Sequence, residues 1–102
     1  MALIKNIPSS TVTEITELGH IQDNSTAAET ITINDAHDRI MLISTVSSTT
    51  MTISNNQSLT PSDTFGINDL MRISIYENVP ANTVFTVQAA QAYYHSVYVL
   101  TV

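Results

Sequence analysis

The chain has 102 residues, no cysteine and a formal net charge of −6. At this length one domain is expected, burying about 65% of the extended chain's surface, enough for a core without staples. The lack of cysteine excludes disulfides and thiolate zinc sites and leaves the redox compartment open. Three basic residues against nine acidic ones give a surface that repels phosphate. That argues against nucleic acid and against an anionic membrane as partners.

The composition is that of strands and turns: 12 Ile, 8 Val and 15 Thr stand against 6 Leu, with 11 Ser and 8 Asn added. β-Branched side chains suit a pleated sheet. Only two Gly are present, so Asn and Asp are expected to supply the turns with positive φ. The N-terminus lacks the apolar core of a signal peptide, and no apolar run is long enough for a membrane-spanning helix. The expectation is a soluble protein made in the cytoplasm.

Residues 1–10 read as an arm or edge strand, Ala2-Leu3-Ile4, stopped by Pro8, before a single β-sandwich domain over 11–102. Thr11 to Gln22 is ambiguous. Thr11-Val12-Thr13-Glu14 fits a capping box, and Gly19 could end a short helix. Against this, Val, Ile and several Thr are poor helix material, so a strand is preferred. Asp23 to Thr26 reads as a loop. Ala28 to Ile33 alternates, with Ile31 and Ile33 inward. Asn34 to Asp38 reads as a polar turn. Ile40-Met41-Leu42-Ile43 is apolar on both faces, which predicts a central strand buried on two sides.

Thr49 to Ser54 alternates again, with Met51 and Ile53 inward, and Asn55 to Ser58 turns. Leu59 to Asp69 looks like a loop anchored by Phe65 and Ile67. In Leu70 to Tyr76, Met71, Ile73 and Ile75 share what is expected to be the core face. Glu77 to Asn82 breaks the pattern around Pro80. Thr83 to Ala89 puts Phe85, Val87 and Ala89 on one side. Tyr93 to Val102 is aromatic and β-branched almost throughout, with apolar residues on both faces, which predicts a strand that is central or covered on both sides. Seven or eight short strands at this spacing predict an all-β fold, an antiparallel β-sandwich or jelly-roll-like barrel.

Motifs with chemistry are sparse. Asp35, His37 and Asp38 could hold a divalent cation, but such residues more often cap their own turn, and no further ligands are spaced to join them. His20, His37 and His95 co-occur with many serines, yet no nucleophile elbow is present. No catalytic residue, cofactor or metal is assigned, and the expectation is that the chain is not an enzyme. Tyr76, Tyr93, Tyr94 and Tyr98 suit either packing and interfaces or a sugar-stacking platform. The apolar ends, Ala2-Leu3-Ile4 and Val99-Leu100-Thr101-Val102, would invite pairing with another chain if left at sheet edges.

The strand-turn-strand run Ile73-Ser74-Ile75-Tyr76-Glu77-Asn78-Val79-Pro80-Ala81-Asn82-Thr83-Val84-Phe85-Thr86-Val87, in an acidic, Cys-free, Ser/Thr/Asn-rich chain of this size, resembles small all-β proteins of bacteriophage virions. These are capsid decoration (cement) proteins and head or tail adhesion modules. The resemblance implies a non-enzymatic structural protein of the virion. Its partners would be itself, as a homo-oligomer with a trimer favoured, and a capsid or tail protein lattice. The expected contacts are Leu3, Ile4, Ile7, Phe65, Tyr93, Tyr94, Leu100 and Val102. The alternative is a carbohydrate- or receptor-binding module of a fibre, with a glycan as ligand.

Overall fold

In a computed structural model, residues 15–46, 51–67 and 71–101 are described. They form eight strands: β1 Glu17–Asp23, β2 Glu29–Ile33, β3 His37–Val46, β4 Met51–Asn55, β5 Asp63–Ile67, β6 Met71–Val79, β7 Thr83–Ala89 and β8 His95–Thr101. All pairings are antiparallel and make a five-stranded sheet, β1-β8-β3-β6-β5, and a three-stranded sheet, β2-β7-β4. The pairs β1–β8, β2–β7 and β3–β6 nest one inside the next. This is the wrapping of a jelly roll. A fully regular roll would close with a β4–β5 pair; here β5 adds to β6 as the edge of the larger sheet.

The core lies between the sheets. Ile21, Ile40, Leu42, Tyr76, Val97 and Val99 come from the larger sheet, and Ile31, Ile33, Phe85 and Val87 from the smaller. Tyr76 meets Phe85 edge-on, with ring centroids 5.1 Å apart, the geometry favoured by aromatic quadrupoles.

Several expectations hold. β1 is a strand through Gly19; residues 11–14 of the ambiguous stretch, and the arm at 1–10, lie outside the described residues. Gly19 ends no helix. It sits at a register shift in β1 between Glu17 and Gly19 and lets β1 approach Ile31 of the other sheet. Ile31 and Ile33 point inward while Thr30 and Thr32 are exposed. Asn does serve positive φ, at Asn78 (53°) and Asn82 (63°), joined by Ser58 (54°), and neither glycine does.

Other expectations fail for physical reasons. The 34–38 turn is shorter, because His37 and Asp38 already belong to β3. The "loop" at 59–69 contains β5, and Phe65 is 52% exposed rather than an inward anchor. β6 runs on through Asn78, whose positive φ bends it without ending it, so the turn is confined to Pro80–Asn82. There Thr83 Oγ1 donates to Pro80 O at 2.7 Å. Tyr93 and Tyr94 precede β8 and are exposed. By contrast β8 is central, as the apolar residues on both its faces predicted: it is paired on both sides, by β1 and β3, so its backbone cannot recruit another chain.

The largest correction concerns β6. Its core face carries Ser74 and Tyr76, while Met71, Ile73 and Ile75 are only half-buried and point the other way. Likewise β3 is central, but only Ile40 and Leu42 are buried, with Met41 and Ile43 half-buried.

Candidate interaction surface and end cluster

Directly paired residues of an antiparallel sheet share a face. The register therefore reads off the outer face of the five-stranded sheet. One row crosses all five strands: His20, Tyr98, Ile43, Ile73 and Phe65. At the usual strand spacing it is about 19 Å long. A second row holds Leu100, Met41 and Ile75, ending on Asp63. Phe65 is exposed, and the other apolar members of both rows are half-buried. At one end of the first row the His20 ring stacks on Tyr98, centroids 5.7 Å apart and 24° from parallel. His20 Nδ1 also lies 3.2 Å from Glu17 Oε1.

The outer face of the three-stranded sheet is different. Its rows are Thr30, Thr86 and Ser54, then Thr52 and Gln88, then Thr32 and Val84. The sandwich is thus asymmetric, with threonine-rich rows on the outside of one sheet and apolar rows on the outside of the other.

The predicted contacts fall unevenly on this frame. Phe65 and Leu100 belong to the apolar outer face. Tyr93 and Tyr94, exposed by 45% and 64%, lie in the loop that enters β8. Leu3, Ile4, Ile7 and Val102 lie outside the described residues. The four tyrosines do not form one platform, since Tyr76 is in the core and Tyr98 is on the outer face.

A second constellation was not read from the sequence. Asp23 ends β1, Glu29 begins β2 and His95 begins β8. Each occupies the inward position next to a core residue two places along: Ile21, Ile31 and Val97. A carboxylate oxygen of Asp23, one of Glu29 and a ring nitrogen of His95 lie within 4.8 Å of one another. The group thus closes one end of the sandwich with polar atoms from both sheets.

Its electrostatics follow from its hydrogen bonds. Asp23 Oδ2 accepts from Ser25 Oγ at 2.8 Å and Oδ1 from the Asn24 N–H at 2.7 Å. These bonds, and one shared with the Glu29 carboxyl, hold Asp23 below its ordinary range. The same carboxyl–carboxylate bond, followed by burial and the charge of Asp23, pushes Glu29 up. Like charges in contact push the proton affinities of the two carboxyl groups apart. His95 is 1% exposed. Its Nδ1 lies 3.1 Å from Tyr93 O, and its Nε2 is buried without a partner.

The clue was present in the alternation. If Ile31 and Ile33 face inward, Glu29 must too, and the reading that put Asp23 in a loop hid its part. Asp35, His37 and Asp38 do not come together: β3 alternation sends His37 and Asp38 to opposite faces, and Asp23, Glu29 and His95 are the ligand-bearing group among the described residues. Compared with models of known protein families, with curated proteins and with solved structures, the chain matches none.

Proposed function

We propose that the chain is a non-enzymatic structural protein of a bacteriophage virion, a capsid decoration protein that binds through the outer face of its five-stranded sheet. The observation that supports this reading is the apolar row Tyr98, Ile43, Ile73 and Phe65, set against a threonine-rich opposite face. Jelly rolls recur in viral capsid domains, though also in lectins and cupins, so the fold alone assigns nothing. The apolar sheet face carries the argument. Burying such a row between copies, or against a shell, gives modest affinity per site, and a lattice multiplies it.

The test is light scattering on the purified chain, with co-sedimentation on empty shells assembled from the major coat protein of the phage genome that encodes it. The intact chain should form a trimer and pellet with shells. The double variant Ile43→Lys/Ile73→Lys should be monomeric and remain in the supernatant, with its far-ultraviolet circular dichroism unchanged. A monomeric wild type that ignores shells would sink the reading. Removal of residues 1–8 probes the expected contribution of Leu3, Ile4 and Ile7 in the same assay.

One observation favours a second reading, a carbohydrate-binding module. Tyr94 and the polar side chains of Gln22, Asp23 and Asn24 line an open cleft of about 310 Å³. An exposed ring beside hydrogen-bonding groups suits a sugar. Glycan-array binding lost in Tyr94→Ala would move the assignment there.

A further inference from the structure

We propose that Asp23, Glu29 and His95 form a binding site for a divalent transition-metal ion of the zinc type, which clamps the two sheets together at one end of the sandwich. Two independent observations meet here. The first is the convergence of two carboxylates and an imidazole within 4.8 Å, drawn from three strands and both sheets. The second is the His95 imidazole itself, nine-tenths buried and more, with Nε2 left without a hydrogen-bond partner. Buried polar atoms without partners are rare and call for an explanation.

The tautomer fits ligation. With Nδ1–H donated to the Tyr93 carbonyl, Nε2 carries the free lone pair. A backbone carbonyl holding the second ring nitrogen is the usual support for a metal-binding histidine. Asp23 is held in the same way, by Ser25 Oγ and the Asn24 N–H, and keeps lone pairs for an ion. Ser25 Oγ in turn accepts from the Ala27 N–H, and Gln88 Nε2 donates to Thr26 O, which ties the 24–28 loop to β7. Glu29 is the third ligand.

Ion class follows from donor type and distance. Imidazole with carboxylates suits Zn²⁺ and its neighbours; Ca²⁺ and Mg²⁺ prefer oxygen throughout. Ligands at about 2.0–2.2 Å from a tetrahedral zinc stand about 3.3–3.6 Å apart, so atoms within 4.8 Å of one another close on the ion by shifts of at most about 1.5 Å. Three protein ligands leave a fourth position for water. The role is structural: β1 and β8 belong to one sheet, β2 to the other, and the ion joins them.

The test uses the full chain, stripped with EDTA and titrated with Zn²⁺ by calorimetry, alongside thermal melts and the His95 imidazole resonances. One Zn²⁺ per chain is expected, with movement of the His95 signals. Zinc at 100 times Kd should raise Tm by about 10 °C. Glu29→Gln and Asp23→Asn keep the shape of the site and should each weaken binding at least about tenfold. His20→Gln, which removes an exposed imidazole next to Glu17, should bind as wild type does. Absence of saturable Zn²⁺ binding, undiminished affinity in Glu29→Gln, loss of binding in His20→Gln, or a preference for Ca²⁺ over Zn²⁺ would each overturn the proposal.

Discussion

A Cβ placed on Gly19, in β1 of one sheet, would stand 2.6 Å from Cγ2 of Ile31, in β2 of the other. Ile31 is buried in the core and cannot swing away. Gly19→Ala should therefore destabilise the fold by about 1–3 kcal/mol, the usual cost of overpacking. Ile31→Leu removes the γ2 branch. In that background the cost of Gly19→Ala should shrink, and chemical denaturation of the double-mutant cycle measures the coupling. Equal costs in both backgrounds would mean that the contact is not the cause.

Asn55 organises the turn after β4 by itself. Its Oδ1 accepts from the N–H groups of Gln57 and Leu59 at 3.0 and 2.9 Å, and its Nδ2 donates to Leu59 O at 2.9 Å. Leu59 packs against the core and depends on this turn for its placement. Asn55→Ala should cost about 1–3 kcal/mol, because backbone groups lose their partners. Asn55→Asp keeps both acceptor bonds and should cost less. Urea titration of the two variants decides the order.

Phe85 is fully buried and meets Tyr76 across the sandwich. Phe85→Ala should cost about 3–5 kcal/mol, a large part of the stability of a domain this size. Tyr76→Phe keeps the ring contact and should stay within about 1 kcal/mol of wild type. A shift in the urea midpoint with unchanged slope would confirm that the native packing, not the denatured state, has changed.

The contact between the Asp23 and Glu29 carboxyl groups gives the metal-free chain a pH signature. Glu29 is raised above its ordinary 4.5, so its contribution is full below that value and is lost as pH rises through the folded value. Asp23 is lowered below its ordinary 3.8, so its contribution is full above that value and is lost as pH falls through the folded one. Together they favour folding most between these two values. His95 is the third group facing the pair. In EDTA, the stability of wild type relative to Glu29→Gln should be highest near pH 4 and fall toward neutrality. A difference that does not change with pH would refute the coupling of the two carboxyl groups.

The period-two pattern gave away most strands, because β-branched alternation and a sandwich impose the same constraint. Ile31 with Ile33, and Phe85 with Val87, show this well: both pairs face in, as their neighbours' polarity demanded. In β6 the same logic chose the wrong face. Ile73 and Ile75 are more apolar than Ser74 and Tyr76, yet Ser74 and Tyr76 face the core. Alternation says that a strand has two unlike faces, and the half-buried Ile73 and Ile75 occupy the one that points away from the core. The end cluster was hidden for another reason. Asp23, Glu29 and His95 are far apart in the chain, and only the β1–β8 register and the approach of β2 unite them.

β8 follows every other strand in the chain yet lies between β1 and β3, which do not pair with each other. During synthesis those two strands must wait, each lacking a neighbour, until His95–Thr101 has left the ribosome. Closing the larger sheet therefore means bringing together segments some eighty residues apart, the kind of non-local pairing that slows the folding of β-topologies.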